Sequence, residues 1–274
     1  MNEWKEYKLG EITTKIGSGA TPRGGSNNYK EFGISLIRSQ NVLDFAFTSS
    51  GLAFIDENQA QELDGVTVQE NDILFNITGD SVARCCVVPK QYLPARVNQH
   101  VSIVRSNDFS HFKYVFYYLQ YLKPELLISA EIGATRNAIT KGMLENISVL
   151  LPPLPEQKAI ASILSSLDDK IALLHHQNAT LEKMAETLFR QWFVEEAKEE
   201  WAEVELGSVI ETTSGGTPSR KNMLYYANGI IPWVKSKELS GTFISKTEEY
   251  ITNEALSNSS AKILPRNSIL IAMY

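Results

Sequence analysis

With 274 residues and 43% hydrophobic content, the chain is long enough for two domains with cores of their own, and its composition excludes disorder. No run of about 18 apolar residues could span a bilayer, and the opening lacks the basic and apolar parts of a secretion signal, so a cytoplasmic protein is expected. The net charge of -6 argues against a uniformly basic nucleic-acid binder, but the acidity is concentrated: residues 1–150 hold 14 Lys+Arg against 16 Asp+Glu, residues 151–200 hold 5 against 9, and residues 201–274 hold 7 against 7.

In chain order, Trp4, Leu9 and Gly10 lead into a loop at residues 17–28 with four glycines, one proline and no apolar residue larger than alanine, which must be a surface excursion. Strands are predicted at 34–37, 72–77, 85–88, 100–104 and 147–151, each flanked by Gly, Pro, Asn or Asp. The adjacent Cys85 and Cys86 fall inside one of these apolar runs, which reads as buried strand rather than disulfide or metal chemistry. A helix is predicted over 112–127, where Tyr114, Tyr117, Tyr118, Tyr121 and Leu122 keep helical spacing as a core stripe. Two further polar loops, 78–84 and 133–141, share the character of the first, and loops on a rigid frame are where recognition tends to sit.

At residues 150–156 a proline-rich stretch ends in Glu156, as suits the first turn of a helix. From Gln157 to about Glu200 there is neither Gly nor Pro, and Ile160, Leu164, Leu167, Ile171, Leu174, Asn178, Leu181, Ala185, Leu188 and Trp192 form a heptad seam. Roughly 44 helical residues would extend about 66 Å. Such a seam demands a partner helix, and Asn178 on it either selects register or marks a wet point; His175 and His176 fall beside it as solvated residues. The opening then recurs: Trp4, Leu9, Gly10, Gly19, Thr21 and Pro22 return as Trp201, Leu206, Gly207, Gly215, Thr217 and Pro218. Residues 34–39 likewise match 231–236, and Ile73 and Leu74 match Ile269 and Leu270. A repeat of this period means duplication of a whole globular unit. The second copy stops at Tyr274, opposite Thr78, leaving 269–274 as an apolar strand at an incomplete sheet.

Enzymatic signatures are weak. Gly79, Asp80 and Ser81 with Asp108 and His111 imitate an esterase pattern, but the two elements are far too close in sequence. There is no phosphate-binding Gly-rich loop, no dinucleotide fingerprint, no Cys/His metal cluster and no Asp/Asn-Pro-Pro-aromatic tetrapeptide of amino-methyltransferases. The chain reads as a recognition protein.

The Trp-x-x-x-x-Leu-Gly opening, the Gly-x-Thr-Pro turn, residues 77–81 (Ile-Thr-Gly-Asp-Ser), residues 98–101 (Asn-Gln-His-Val) and residues 151–157 (Leu-Pro-Pro-Leu-Pro-Glu-Gln) resemble the specificity subunit of type I restriction-modification enzymes. The resemblance implies an α+β fold with two repeated mixed α/β target recognition domains, the second incomplete, joined by a long coiled-coil-like spacer helix. Its boundaries would be 1–152, 153–200 and 201–274. It implies double-stranded DNA as ligand, read as a split site, and methylation and restriction subunits as partners. S-adenosylmethionine, ATP and Mg would belong to those partners, with no cofactor, no metal and no catalytic residue on this chain. The ending is expected to reflect a fragment; the alternative is a truncated subunit that pairs its seam with a second copy in a homodimer.

Base reading needs Arg or Lys for guanine and Asn or Gln for adenine. The polar loops offer Arg23, Arg38, Gln40, Asn41, Arg84, Arg136, Asn137 and Lys141, with Thr21, Thr78 and Ser81 as backbone positioners and Gly79 and Gly133 allowing close approach. Their counterparts in the second copy are Thr217, Arg220, Lys235 and Lys237. Asp80 and Asp44 would repel phosphate, although Asp80 could accept from cytosine N4. A non-enzymatic scaffold whose repeated domains bind protein or glycan would share the duplication and the rod, but not salt-dependent DNA binding.

Overall fold

The computed structural model describes residues 4–132, 138–198, 200–239 and 243–273. Two compact units divide the chain, Met1–Leu188 and Phe189–Tyr274. In the first, β1 (Lys5–Lys8), β2 (Thr13–Ser18), β3 (Ile34–Ile37) and β4 (Ala53–Ile55) precede the short helix α1 (Glu57–Glu62). Then come β5 (Thr67–Val68), β6 (Ile73–Asn76), β7 (Cys85–Val87), β8 (Ala95–Val97) and β9 (Val101–Ser106). Helices α2 (Phe112–Tyr121), α3 (Lys123–Ile132) and α4 (Lys141–Glu145), strand β10 (Ser148–Leu151) and the long α5 (Leu154–Arg190) complete it. The second unit holds α6 (Leu206–Val209), β11 (Ile231–Trp233), β12 (Glu249–Ile251) and α7 (Asn253–Ser257).

The first unit is layered. An antiparallel sheet of order β2-β9-β6-β7 packs on a mixed sheet of order β4-β3-β8-β5, in which β3 and β8 run parallel. Period-two alternation distributes each strand between cores. Ile73, Phe75, Cys85 and Val104 face the helical layer with Val115, Leu119 and Leu144, whereas Leu74, Cys86 and Ile103 face Ile37 and Val97 of the second sheet. Leu36 and Ile55 point out of the far side of that sheet onto Ala60 of α1. Both faces of β6 are therefore covered, which is why it reads as a continuous apolar run.

The five strands predicted between residues 34 and 151 form, 34–37 with the bounds expected and the others shifted by one or two residues at their ends. The predicted helix over 112–127 is two helices, broken at Leu122. Pro124 has no N–H and is tolerated only in the first turn of a new helix, where it lies in α3. Tyr114 is buried in the core, but Tyr121 is exposed and leaves the expected stripe. The long helix ends at Arg190, short of Glu200, and closes in a π turn at Gln191–Glu195 that carries Trp192. Its length is thus about 55 Å. Residues 269–273, expected as a strand, form none: β9 and β7, which flank β6 in the first unit, have no counterpart among the described residues of the second.

Helix α5 is anchored over its first turns. Gln157 is buried; its carbonyl accepts from the His111 N–H at 2.8 Å and its amide donates to the carbonyls of Pro152 at 2.8 Å and Phe109 at 3.1 Å. Trp4 donates its indole N–H to Glu156, and Tyr117 its hydroxyl to Asp168 at 2.6 Å. Ile160 packs on the core and Leu164 is half-buried. Beyond that point the seam residues Leu167, Ile171, Leu174, Asn178, Leu181, Ala185 and Leu188 are exposed, as are His175, His176 and Trp192.

The duplication is visible in the second unit. β11 and β12 pair antiparallel with Ile231 opposite Ile251, as β3 and β4 pair with Ile34 opposite Ile55. A side-chain oxygen three residues on closes the turn after each first strand: Asn41 accepts from the Arg38 N–H, Glu238 from the Lys235 N–H. Each second strand ends in an N-capped helix, α1 behind Asp56 and α7 behind Thr252.

Candidate nucleic-acid interface

Five loops of the first unit meet at one end of its two sheets. Asn98, just past β8, donates its N–H to Ile37 at the end of β3, and Gly19, just past β2, donates to the Asn98 carbonyl. The Asn76 amide, at the end of β6, donates to Ser39 at 2.9 Å and Val42 at 3.3 Å. Ile77 donates to His100, Ile139 donates to Ile77, and Thr78 bridges to Ala138. The Gly-x-Thr-Pro turn has little freedom: a Cβ on Gly19 would sit 1.6 Å from the Val97 carbonyl oxygen, so only glycine lets these two loops touch.

Within this cluster the predicted residues play different parts. Arg23 and Arg84 carry guanidinium groups with no hydrogen bond or ion pair among the described residues. They are the cations available to an outside partner. Arg38 donates to the Gly51 carbonyl and lies 5.4 Å from the centroid of the Tyr29 ring; Gln40 donates to the same carbonyl at 3.2 Å. Asn41 is fully buried, and its amide bonds Thr48 at 3.0 Å and Ser50 at 3.2 Å. It positions the 38–51 loop and presents nothing outward, which corrects its expected place among the outward-facing readers. Gly79 takes a φ of +76° with open space around it, Ser81 closes the same turn, and Lys141 pairs with Glu145 at 3.4 Å. Asp80 is exposed, while Asp44 is neutralised by Lys123. Gly133, Arg136 and Asn137 lie outside the described residues.

One chain of hydrogen bonds links three loops through residues left off the list of candidates. Thr21 donates to Gln99, Gln99 donates to His100 Nε2 at 3.3 Å, and His100 Nδ1 meets the Thr78 hydroxyl at 2.7 Å. The Asn-Gln-His motif was the available signal for it.

The second unit differs in its electrostatics. Thr217 is exposed, but Arg220, Lys235 and Lys237 are all committed to carboxylates: Arg220 to Glu249 at 2.6 Å, Lys235 to Glu248 at 2.8 Å and Glu249 at 2.7 Å, Lys237 to Glu248 at 2.6 Å. Arg220 also lies over the rings of Tyr226 and Trp233, at 4.4 and 5.0 Å. The hydrogen bonds from Arg220 and then Lys235 hold the Glu249 carboxyl at about 2. Other cations are structural: Arg105 grips the buried Asp72 through two hydrogen bonds of 2.7 Å, and Arg96 is buried against Asp64. The esterase imitation also comes apart, since Ser81 belongs to the loop cluster while His111 packs beside Gln157 at the start of α2.

A family described as type I restriction modification DNA specificity domain matches residues 1–183 and 198–274. The chain is 32% identical over 167 residues to the EcoR124I/EcoR124II specificity subunit of Escherichia coli, covering 59% of this chain and 40% of that protein. It is 24% identical over 288 residues to the MjaIX specificity subunit of Methanocaldococcus jannaschii, covering 98% and 65%. The chain therefore spans between 40% and 65% of the length of these relatives. A type I restriction-modification S subunit from M. genitalium shares the fold, with a TM-score of 0.51 at 16% identity over 69% of this chain and 45% of that one. A chain from a study of type I R-M complex assembly and conformational transition gives a TM-score of 0.51 at 24% identity, over 73% and 47%. With both copies of the repeat inside the matched segments, the chain belongs to the type I restriction modification DNA specificity domain family.

Proposed function

We propose that this chain recognises DNA sequence for a type I restriction-modification enzyme, its first unit reading one half of a split site through the loop cluster. The convergence of five polar loops around two unpaired arginines carries this reading, because phosphate contacts supply affinity and groove-edge contacts supply specificity. The second repeat takes the other half-site, α5 is the spacer, and α5's exposed seam takes a partner helix, from the rest of a longer chain or from a second copy. Methylation and DNA cleavage belong to partner subunits, together with S-adenosylmethionine, ATP and Mg, in the cytoplasm. Among the described residues no helix is long and apolar enough to cross a membrane.

Fluorescence anisotropy on a duplex library, repeated from about 50 to 200 mM salt, tests the reading. Sequence-dependent affinity that falls steeply with salt is expected. Replacing Arg23 or Arg84 by Ala should each lower the salt slope by about one unit. Salt-independent behaviour, or no duplex binding, would favour a protein- or glycan-binding scaffold.

A further inference from the structure

We propose that Gln99 is a base-reading residue of the first unit, that it recognises a purine edge of adenine type, and that His100 is its positioning residue. The proposal rests on the DNA-recognition reading above.

Gln99 is exposed within the cluster, at the middle of the three-residue step between β8 and β9. Its backbone is pinned from both sides: Asn98 donates its N–H to Ile37 and accepts from Gly19, and the Asn98 side-chain oxygen accepts from the His100 N–H at 3.1 Å. The side chain is oriented by hydrogen bonds of fixed direction. A glutamine NH₂ can only donate, so His100 Nε2 must be the acceptor in their 3.3 Å contact. The imidazole proton therefore sits on Nδ1 and is donated to the Thr78 hydroxyl. On the other side the Thr21 hydroxyl donates to Gln99 Oε1. Both ends of the amide are thus held, with the carbonyl toward Thr21 and the NH₂ toward His100.

After these bonds the amide retains one carbonyl lone pair and one N–H. That pair matches the N6 donor and N7 acceptor of adenine in the major groove. A free surface glutamine would have to lose rotamer entropy to make the same contact; here Thr21 and His100 have already removed it. The unpaired Arg23 and Arg84 belong to flanking loops of the same cluster and supply phosphate contacts around it.

The experiment is a binding selection with the full chain on duplexes randomised over the half-site, comparing wild type with Gln99→Ala, His100→Ala and the double variant. Thermal unfolding of each variant is recorded alongside. Gln99→Ala should lose about tenfold to hundredfold discrimination at one base-pair position and leave the salt slope unchanged. His100→Ala should relax the same position, and the double variant should be no worse than Gln99→Ala, since the histidine acts through the glutamine. Thr21→Val, which keeps the shape and removes the donor, should weaken that same position if His100→Ala fails to fold. Wild-type selectivity in Gln99→Ala, a uniform loss across all positions, or additive effects in the double variant would each overturn the proposal while leaving the DNA reading intact. If wild-type protein binds no duplex, both fall together.

Discussion

Asn41 and Gln99 are both amides in the same loop cluster, and burial separates what they do. Asn41 makes two donations and one acceptance inside the protein, so Asn41→Ala should cost about 1–3 kcal/mol of stability in urea unfolding, through unsatisfied backbone groups. A different residue-scale prediction concerns the second unit. Glu249 is held at about 2 against an ordinary 4.5, so its pairs with Arg220 and Lys235 stabilise the folded unit above about pH 4.5, and that contribution is lost as pH falls toward 2. The indole resonance of Trp233, beneath Arg220, should report this titration, and Glu249→Gln should abolish it. Loop polarity in the sequence singled out segments of the first unit that the structure brings together at one end of its sheets. It could not separate free from committed side chains, because that depends on partners distant in sequence: Arg220 meets a carboxylate from β12, and Arg38 a carbonyl thirteen residues on.

At the scale of elements, α5 shows how a short motif fixes a long rod. The buried Gln157 closes three backbone groups from two segments that would otherwise be orphaned next to the helix start. Gln157→Ala should therefore destabilise the first unit by about 1–3 kcal/mol, whereas the exposed Lys158→Ala should be close to neutral in the same denaturation assay. The seam was readable because a heptad pattern is local. The break at Leu122 was signalled by Pro124 but hidden by the continuing run of apolar residues, and the earlier end of α5 has no proline or glycine to announce it. The missing strand at 269–273 has another cause: β-propensity is realised only when neighbouring strands accept the hydrogen bonds.

For the whole molecule, a row of exposed apolar residues runs along α5, where Leu167, Ile171 and Leu181 are 57%, 53% and 61% exposed. Surfaces of this kind mark association sites. Sedimentation of the purified chain should be concentration-dependent, and Ile171→Glu with Leu174→Glu should make it monomeric without unfolding the first unit; association that persists would place the contact elsewhere. The alternation along β7 has a separate consequence. Cys85 faces the helical layer and Cys86 the space between the sheets, and burial pushes both thiols far up, Cys86 to about 12, so neither reacts while its layer is closed. The first unit thus carries one chemical clock in each of two of its interior seams. Labelling rates of Cys85→Ser and Cys86→Ser would time the parting of helices from sheet and of sheet from sheet independently, and show which layer lets go first when DNA is bound.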